Sequence, residues 1–197
     1  MPVETISFLE NLRSTTSESH KNLEKLPLSA AILSPTISKN DYGNYLKVMY
    51  NVIYETENRI FPILSGLIPD LEERKKARLL DQDLAALGMS KSNFESPFAS
   101  KENVSIGFAL GLFYVVEGST LGGRFIIKNI QSVLGFDEHN GAQYFAGYGN
   151  KTGSYWKNFL NILTQYEQEN EVADEIIDGA NFAFNAIHDH FLAQSHS

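Results

Sequence analysis

Gly107–Arg124 reads GFALGLFYVVEGSTLGGR, with five glycines set into the most apolar helical stretch of the chain. A glycine inside a helix costs roughly 0.5–1 kcal/mol relative to alanine, so this run calls for a compensating use. At helical spacing Gly107, Gly111, Gly118 and Gly122 fall within about 60° of one face, and Tyr114 and Phe125 border it. Two uses fit such a strip. One is a close helix–helix crossing through small residues. The other is a band of bare backbone, flanked by aromatic rings, on which something flat can lie closer than side chains allow.

Outward from this stretch the chain reads as one all-α domain over residues 1–197. Apolar residues recur at three-and-four spacing, and no useful length alternates as a strand would. The first helix is expected from about Glu4 to Leu26, stopped by Pro27, with Ile6, Leu9, Leu12, Thr16 and Leu23 inward. A short turn of helix follows over Leu28–Leu33. Ser38 and Asp41 form a capping pair for a long helix that Pro62 kinks or ends. Pro69 and Gly88 bracket a helix over about 70–87, and a loop follows around Pro97. The glycine-rich helix is expected from about Glu102 to Leu134, bent between Gly118 and Gly123 and closed by Gly135. Phe136–Gly153 reads as a loop, and helices over Ser154–Gln168 and Val172–Ala193 complete the bundle.

Composition narrows the function. No cysteine is present, which excludes thiolate metal sites and cysteine nucleophiles and agrees with a cytoplasmic location. The net charge of −8 opposes nonspecific nucleic-acid binding. No secretory signal opens the sequence, and no uninterrupted apolar run suggests a membrane span. Glu-x-x-His pairs of a di-iron bundle, HExxH, and phosphate-binding glycine loops are all absent. His188 and His190 lie on different faces of one helix and read as surface histidines, His139 falls in a loop, and His196 falls in the tail.

His20 is the remaining candidate. Glu24, one turn on, is placed to take the Nδ1 proton, leaving Nε2 as a metal-binding lone pair. Arg13 lies on the same side of the helix, about 10 Å away, within reach of a carboxylate on a bound cofactor. Taken separately, Arg13 and Glu24 also suit a solvated helix face.

These residues match a known pattern. Leu12-Arg13-x-x-Thr16-x-x-x-His20-x-x-Leu23-Glu24 resembles the proximal helix of heme oxygenases. Glu117-Gly118-Ser119-Thr120-Leu121-Gly122-Gly123-Arg124 resembles the distal helix of their bacterial, biliverdin-producing branch. Phe145–Gly149 through Trp156–Phe159 is similar to the loop and helix that follow in that branch.

The resemblance implies a heme-oxygenase-like multi-helix bundle in which His20 ligates heme iron and Glu24 orients it. Gly118, Gly122 and Gly123 would let the distal backbone approach oxygen. Tyr114 and Phe125 would flank the ring, and Arg13 and Lys157 are candidates for its propionates. The activity implied is cleavage of heme at a meso carbon to biliverdin, carbon monoxide and ferrous iron. It uses molecular oxygen and electrons from a donor such as ferredoxin or a reductase. Animal-type members carry Asp where this chain has Ser119, so the holder of the catalytic water stays open among Ser119, Thr120 and backbone carbonyls. Arg74, Lys75, Lys76 and Arg78 form the densest basic cluster, either a dock for an acidic ferredoxin or a solvated helix face. A heme carrier of the same fold is the rival reading. A thiaminase-like enzyme is disfavoured by the missing cysteine.

Overall fold

Ser7 starts the first helix, because its side chain accepts the Glu10 N–H while the Glu10 carboxylate returns to the Ser7 N–H. This reciprocal cap opens α1, Phe8–Glu24. The computed structural model describes residues 7–194, so the expectations for Glu4, Ile6 and His196 lie outside the described residues. Leu12 and Thr16 are the buried residues of α1, and Pro27 opens α2, Pro27–Ala31, instead of only closing its predecessor.

The expected Ser38–Asp41 box caps α3, Lys39–Glu55. Pro62 neither ends this helix nor kinks it alone. A π turn over Thr56–Ile60 precedes it, with the Phe61 N–H donating to the Thr56 carbonyl, and α4, Phe61–Leu64, carries on. A proline ring crowds the carbonyl four residues back, and the wider turn gives it room.

The single helix expected over 70–87 is interrupted. A 3₁₀ turn at Glu72–Arg74 is followed by extended backbone at Lys75, and α5 runs Ala77–Ala86. The break is held from a distance: Glu57 Oε1 accepts the N–H groups of Lys76 and Ala77 at 2.5 and 2.7 Å, supplying the cap that α5 lacks locally.

Ser105 caps α6, Ile106–Gly118, which begins four residues later than the Glu102 start expected. A 3₁₀ turn, Ser119–Gly122, bends the chain where expected, and α7, Gly123–Leu134, ends on left-handed Gly135 (φ 78°). Phe136–Gly153 is not all loop, since α8, Gln143–Ala146, sits inside it. Buried Asp83 of α5 accepts the Gln143 and Tyr144 N–H groups at 2.9 Å each, and the Tyr42 hydroxyl donates to the Gly141 carbonyl at 2.7 Å. Two long helices finish the bundle, α9, Thr152–Asn170, and α10, Ala173–Gln194.

α10 packs along α6 on one side and α1 on the other. The α6 crossing is so close that a Cβ at Gly111 would lie 1.9 Å from the Ile176 carbonyl oxygen, and one at Gly179 2.1 Å from that of Phe108. Glycine here permits backbone-to-backbone contact. Leu12, Leu46, Leu80, Phe113, Phe159 and Phe191 are fully buried in the common core. By length and composition Ile106–Leu134 is apolar enough to cross a bilayer, but 61% of its apolar window is covered by the bundle, as in the core helix of a globular fold.

Candidate heme site

The glycine strip divides between its two possible uses. Gly107 and Gly111 serve the crossing with α10, meeting Glu175 and Ile176. Gly118 and Gly122 do not. A Cβ at Gly118 would reach 3.4 Å from the Trp156 ring, and one at Gly122 would project into open space. Gly123 departs from the rest: its bare side is filled by the Phe145 carbonyl oxygen, 2.5 Å from where a Cβ would stand. Glycine at 123 is therefore required by packing of α7 on α8.

An aromatic wall stands beside Gly118. Tyr114 and Trp156 lie 5.4 Å apart at 43°, and exposed Lys157 follows Trp156 on α9. Burial raises the Tyr114 phenol pKa, and the charge of Arg13 on α1 pulls it partly back. Phe125 is 72% exposed, one turn past the bend, and Leu121 and Gly122 are also exposed. Ser119 Oγ donates to the Val116 carbonyl at 2.6 Å and Thr120 Oγ1 to that of Glu117 at 2.7 Å. Both hydroxyl protons are thus engaged by their own helix.

On α1 the His20 side chain is 56% exposed, with its Nδ1 3.5 Å from Glu24 Oε2. That separation is longer than a hydrogen bond but orients Nδ1 toward the carboxylate. The ring packs edge-on against Phe184 of α10, centroids 5.7 Å apart. Among the described residues no three His, Asp or Glu side chains are grouped to chelate a free metal ion. An iron macrocycle needs no such group, because it brings four ligands and asks the protein for one axial donor.

Two expectations are corrected. Arg74 and Lys76 are not part of an exposed basic face: they are 2% and 5% exposed. Arg74 Nη1 binds Glu117 Oε1 at 2.5 Å, and its other nitrogens bind Asp70 at 2.8 and 2.9 Å and the Tyr155 carbonyl at 3.2 Å. Lys76 Nζ meets the Tyr148 hydroxyl at 2.5 Å, and Tyr148 donates to Glu117 Oε2 at 2.8 Å. Burial, only partly offset by Glu117, lowers the Lys76 pKa to about 8. The sequence carried one signal of this cluster: Glu117 is the lone carboxylate in an apolar helix, and a buried charge demands a partner. His190, expected at the surface, is also buried, 8% exposed and packed against Phe94, with Nε2 unpartnered.

Residues 6–193 match the sequence profile of the heme oxygenase family. The chain belongs to the heme oxygenase family. It is 30% identical over 193 residues to heme oxygenase PigA of Pseudomonas aeruginosa, covering 93% of each protein. It is 25% identical over 160 residues to a heme oxygenase of Xanthomonas campestris, covering 81% of this chain and 93% of that one. Among solved structures, the NO- and CO-bound heme oxygenase of Neisseria meningitidis superposes with a TM-score of 0.79 at 25% identity, covering 96% of this chain and 92% of the other. In this heme oxygenase fold, α1 supplies the exposed imidazole and the α6–α7 bend supplies the exposed backbone.

Proposed function

We propose that this protein opens heme at a meso carbon, releasing biliverdin, carbon monoxide and ferrous iron, as one cytoplasmic domain over residues 1–197. The observation that carries the reading is the Gly118–Gly122 bend, side-chain-poor and open at Gly122 beside the Tyr114–Trp156 wall. Bound heme supplies the iron that activates oxygen and the ring that is cleaved.

The protein holds and shapes that chemistry. His20 Nε2 would hold the iron, and the Glu24 carboxylate facing Nδ1 would keep the ring proton on Nδ1, leaving Nε2 as the lone pair. A neutral imidazole, unlike a thiolate, does not push strongly toward O–O cleavage. The bare backbone at Gly118 and Gly122 would let the protein approach the other face of the ring closely. Ser119 and Thr120 give their protons to α6 carbonyls and so offer no acidic proton beside the bend. Arg13 and Lys157 would take the propionates, and Tyr114 and Phe125 would flank the ring. Electrons come from ferredoxin or a reductase, and oxygen from solution.

Adding hemin to the purified protein is expected to give a histidine-ligated Soret band, which reductant and oxygen then replace with biliverdin absorbance. A Soret band that survives both would instead mark a heme carrier. His20→Ala is expected to abolish ordinary ligation, and an unchanged spectrum would overturn the ligand assignment.

A further inference from the structure

The buried ionic cluster lies directly behind the bend, and its centre, Glu117, is the residue before Gly118. Glu117 is 1% exposed, and both carboxylate oxygens are engaged: Arg74 on Oε1, Tyr148 on Oε2, and the Lys76 ammonium 4.0 Å from Oε2. Arg74 is itself a junction. The guanidinium that grips Glu117 at the end of α6 also donates to the Tyr155 carbonyl near the start of α9, one residue before Trp156. Tyr148 and Tyr155 stack at 4.1 Å and 5°, closing the triangle. Beneath it is a cavity of about 10 Å³, reaching Thr120 and Tyr144, with room for a single water.

For plain stability this arrangement is a poor choice. Desolvating two cations and a carboxylate is costly, and a packed apolar group of the same volume often serves as well. The cluster does supply direction. Helix–helix packing leaves α6 free to slide or rotate slightly, whereas a carboxylate held at both oxygens, by Arg74 on one and Tyr148 on the other, fixes the last turn at one height. The 3₁₀ turn that follows has neither a side-chain cap nor a buried residue of its own.

We propose that Glu117 is a positioning residue: anchored by Arg74 and Tyr148, it sets the height of the Gly118–Gly122 backbone above the substrate and its spacing from Trp156. The proposal rests on the heme-cleaving reading only for what lies in front of the bend. The anchor itself is a property of the protein without substrate.

The test compares Glu117→Gln and Tyr148→Phe with the parent protein by hydrogen exchange without hemin, and then by hemin binding and turnover. In Glu117→Gln, exchange at amides 118–123 is expected to rise at least tenfold or so while the rest of α6 is little changed. Hemin affinity and the His20-ligated Soret band should hold, while kcat falls roughly tenfold and the biliverdin isomer composition shifts. Tyr148→Phe, which keeps the stacked ring and loses one hydrogen bond, is expected to move the same readouts less. It carries the comparison if Glu117→Gln does not fold. Exchange that is unchanged at 118–123, or that rises uniformly along α6, overturns the anchor. Failure of the parent protein to consume hemin refutes the heme-cleaving reading instead, and leaves the exchange result to decide the anchor alone.

Discussion

A methyl group at Gly122 would meet no protein atom, and one at Gly118 would meet Trp156 only at ordinary van der Waals contact. Both residues have right-handed helical backbone, so alanine is conformationally allowed at each. Gly122→Ala is therefore expected to leave the melting temperature unchanged or raise stability by about 0.4–1 kcal/mol, while turnover of hemin falls. Gly111→Ala behaves in the opposite way. Its Cβ would collide with the Ile176 carbonyl, so thermal unfolding should show a loss of about 1–3 kcal/mol or more. The same substitution at two positions of one stretch thus separates the packing role from the site role. His190 provides a pH prediction. Burial holds its pKa below 6.5, with a Val48 backbone contact pulling the other way. The unfolded chain then binds this proton more readily than the native one, so stability present above about pH 6.5 is lost as pH falls. Melting curves from pH 7.5 to 5 should decline, and His190→Phe should flatten part of that decline.

Helix existence, the Ser38 cap, the bend and its position were legible because each rests on local chemistry: periodicity, a hydroxyl three residues before a carboxylate, glycines in series. The start of α6 is misread although its Ser105 cap is local; the other elements misread have limits set from elsewhere. Nothing near Lys75 announces a break, because the groups that hold it belong to Glu57, a residue of the π turn. Likewise Arg74 and Lys76 look like a solvated basic run in one dimension, and only the fold brings Glu117 to them. Of the candidate site, His20 with Glu24 and the Gly118–Gly122 bend follow from spacing. Assigning Gly123 to packing required knowing that α8 lies against it. The buried pair makes its own prediction at this scale. Arg74→Met strands a carboxylate in the core and should cost about 3–5 kcal/mol, whereas Arg74→Met with Glu117→Leu should recover much of that. Urea unfolding of the two variants checks it. Recovery of stability without recovery of turnover is the outcome expected if the ion pair directs the bend.

At the scale of the whole molecule, the two halves of the candidate site sit on helices that α10 joins, α1 on one side and α6 on the other. His20 leans on Phe184 of α10, and Gly111 of α6 rests on the Ile176 backbone of the same helix. A ligand gripped from both sides therefore ties α1 to α6 a second time, and its binding energy becomes folding energy. At free hemin about a hundredfold above its dissociation constant, the gain is about 2.7 kcal/mol. For a chain of this size that corresponds to roughly 5–10 °C in melting temperature. The parent protein is expected to show that shift with hemin. In His20→Ala, where the proximal grip is gone, most of it should vanish even though the unliganded melting temperature is unchanged, since the ring is exposed and its removal opens little of the core. A full shift retained in His20→Ala would mean that hemin stabilises the fold from some other surface, and the two-sided grip would be wrong.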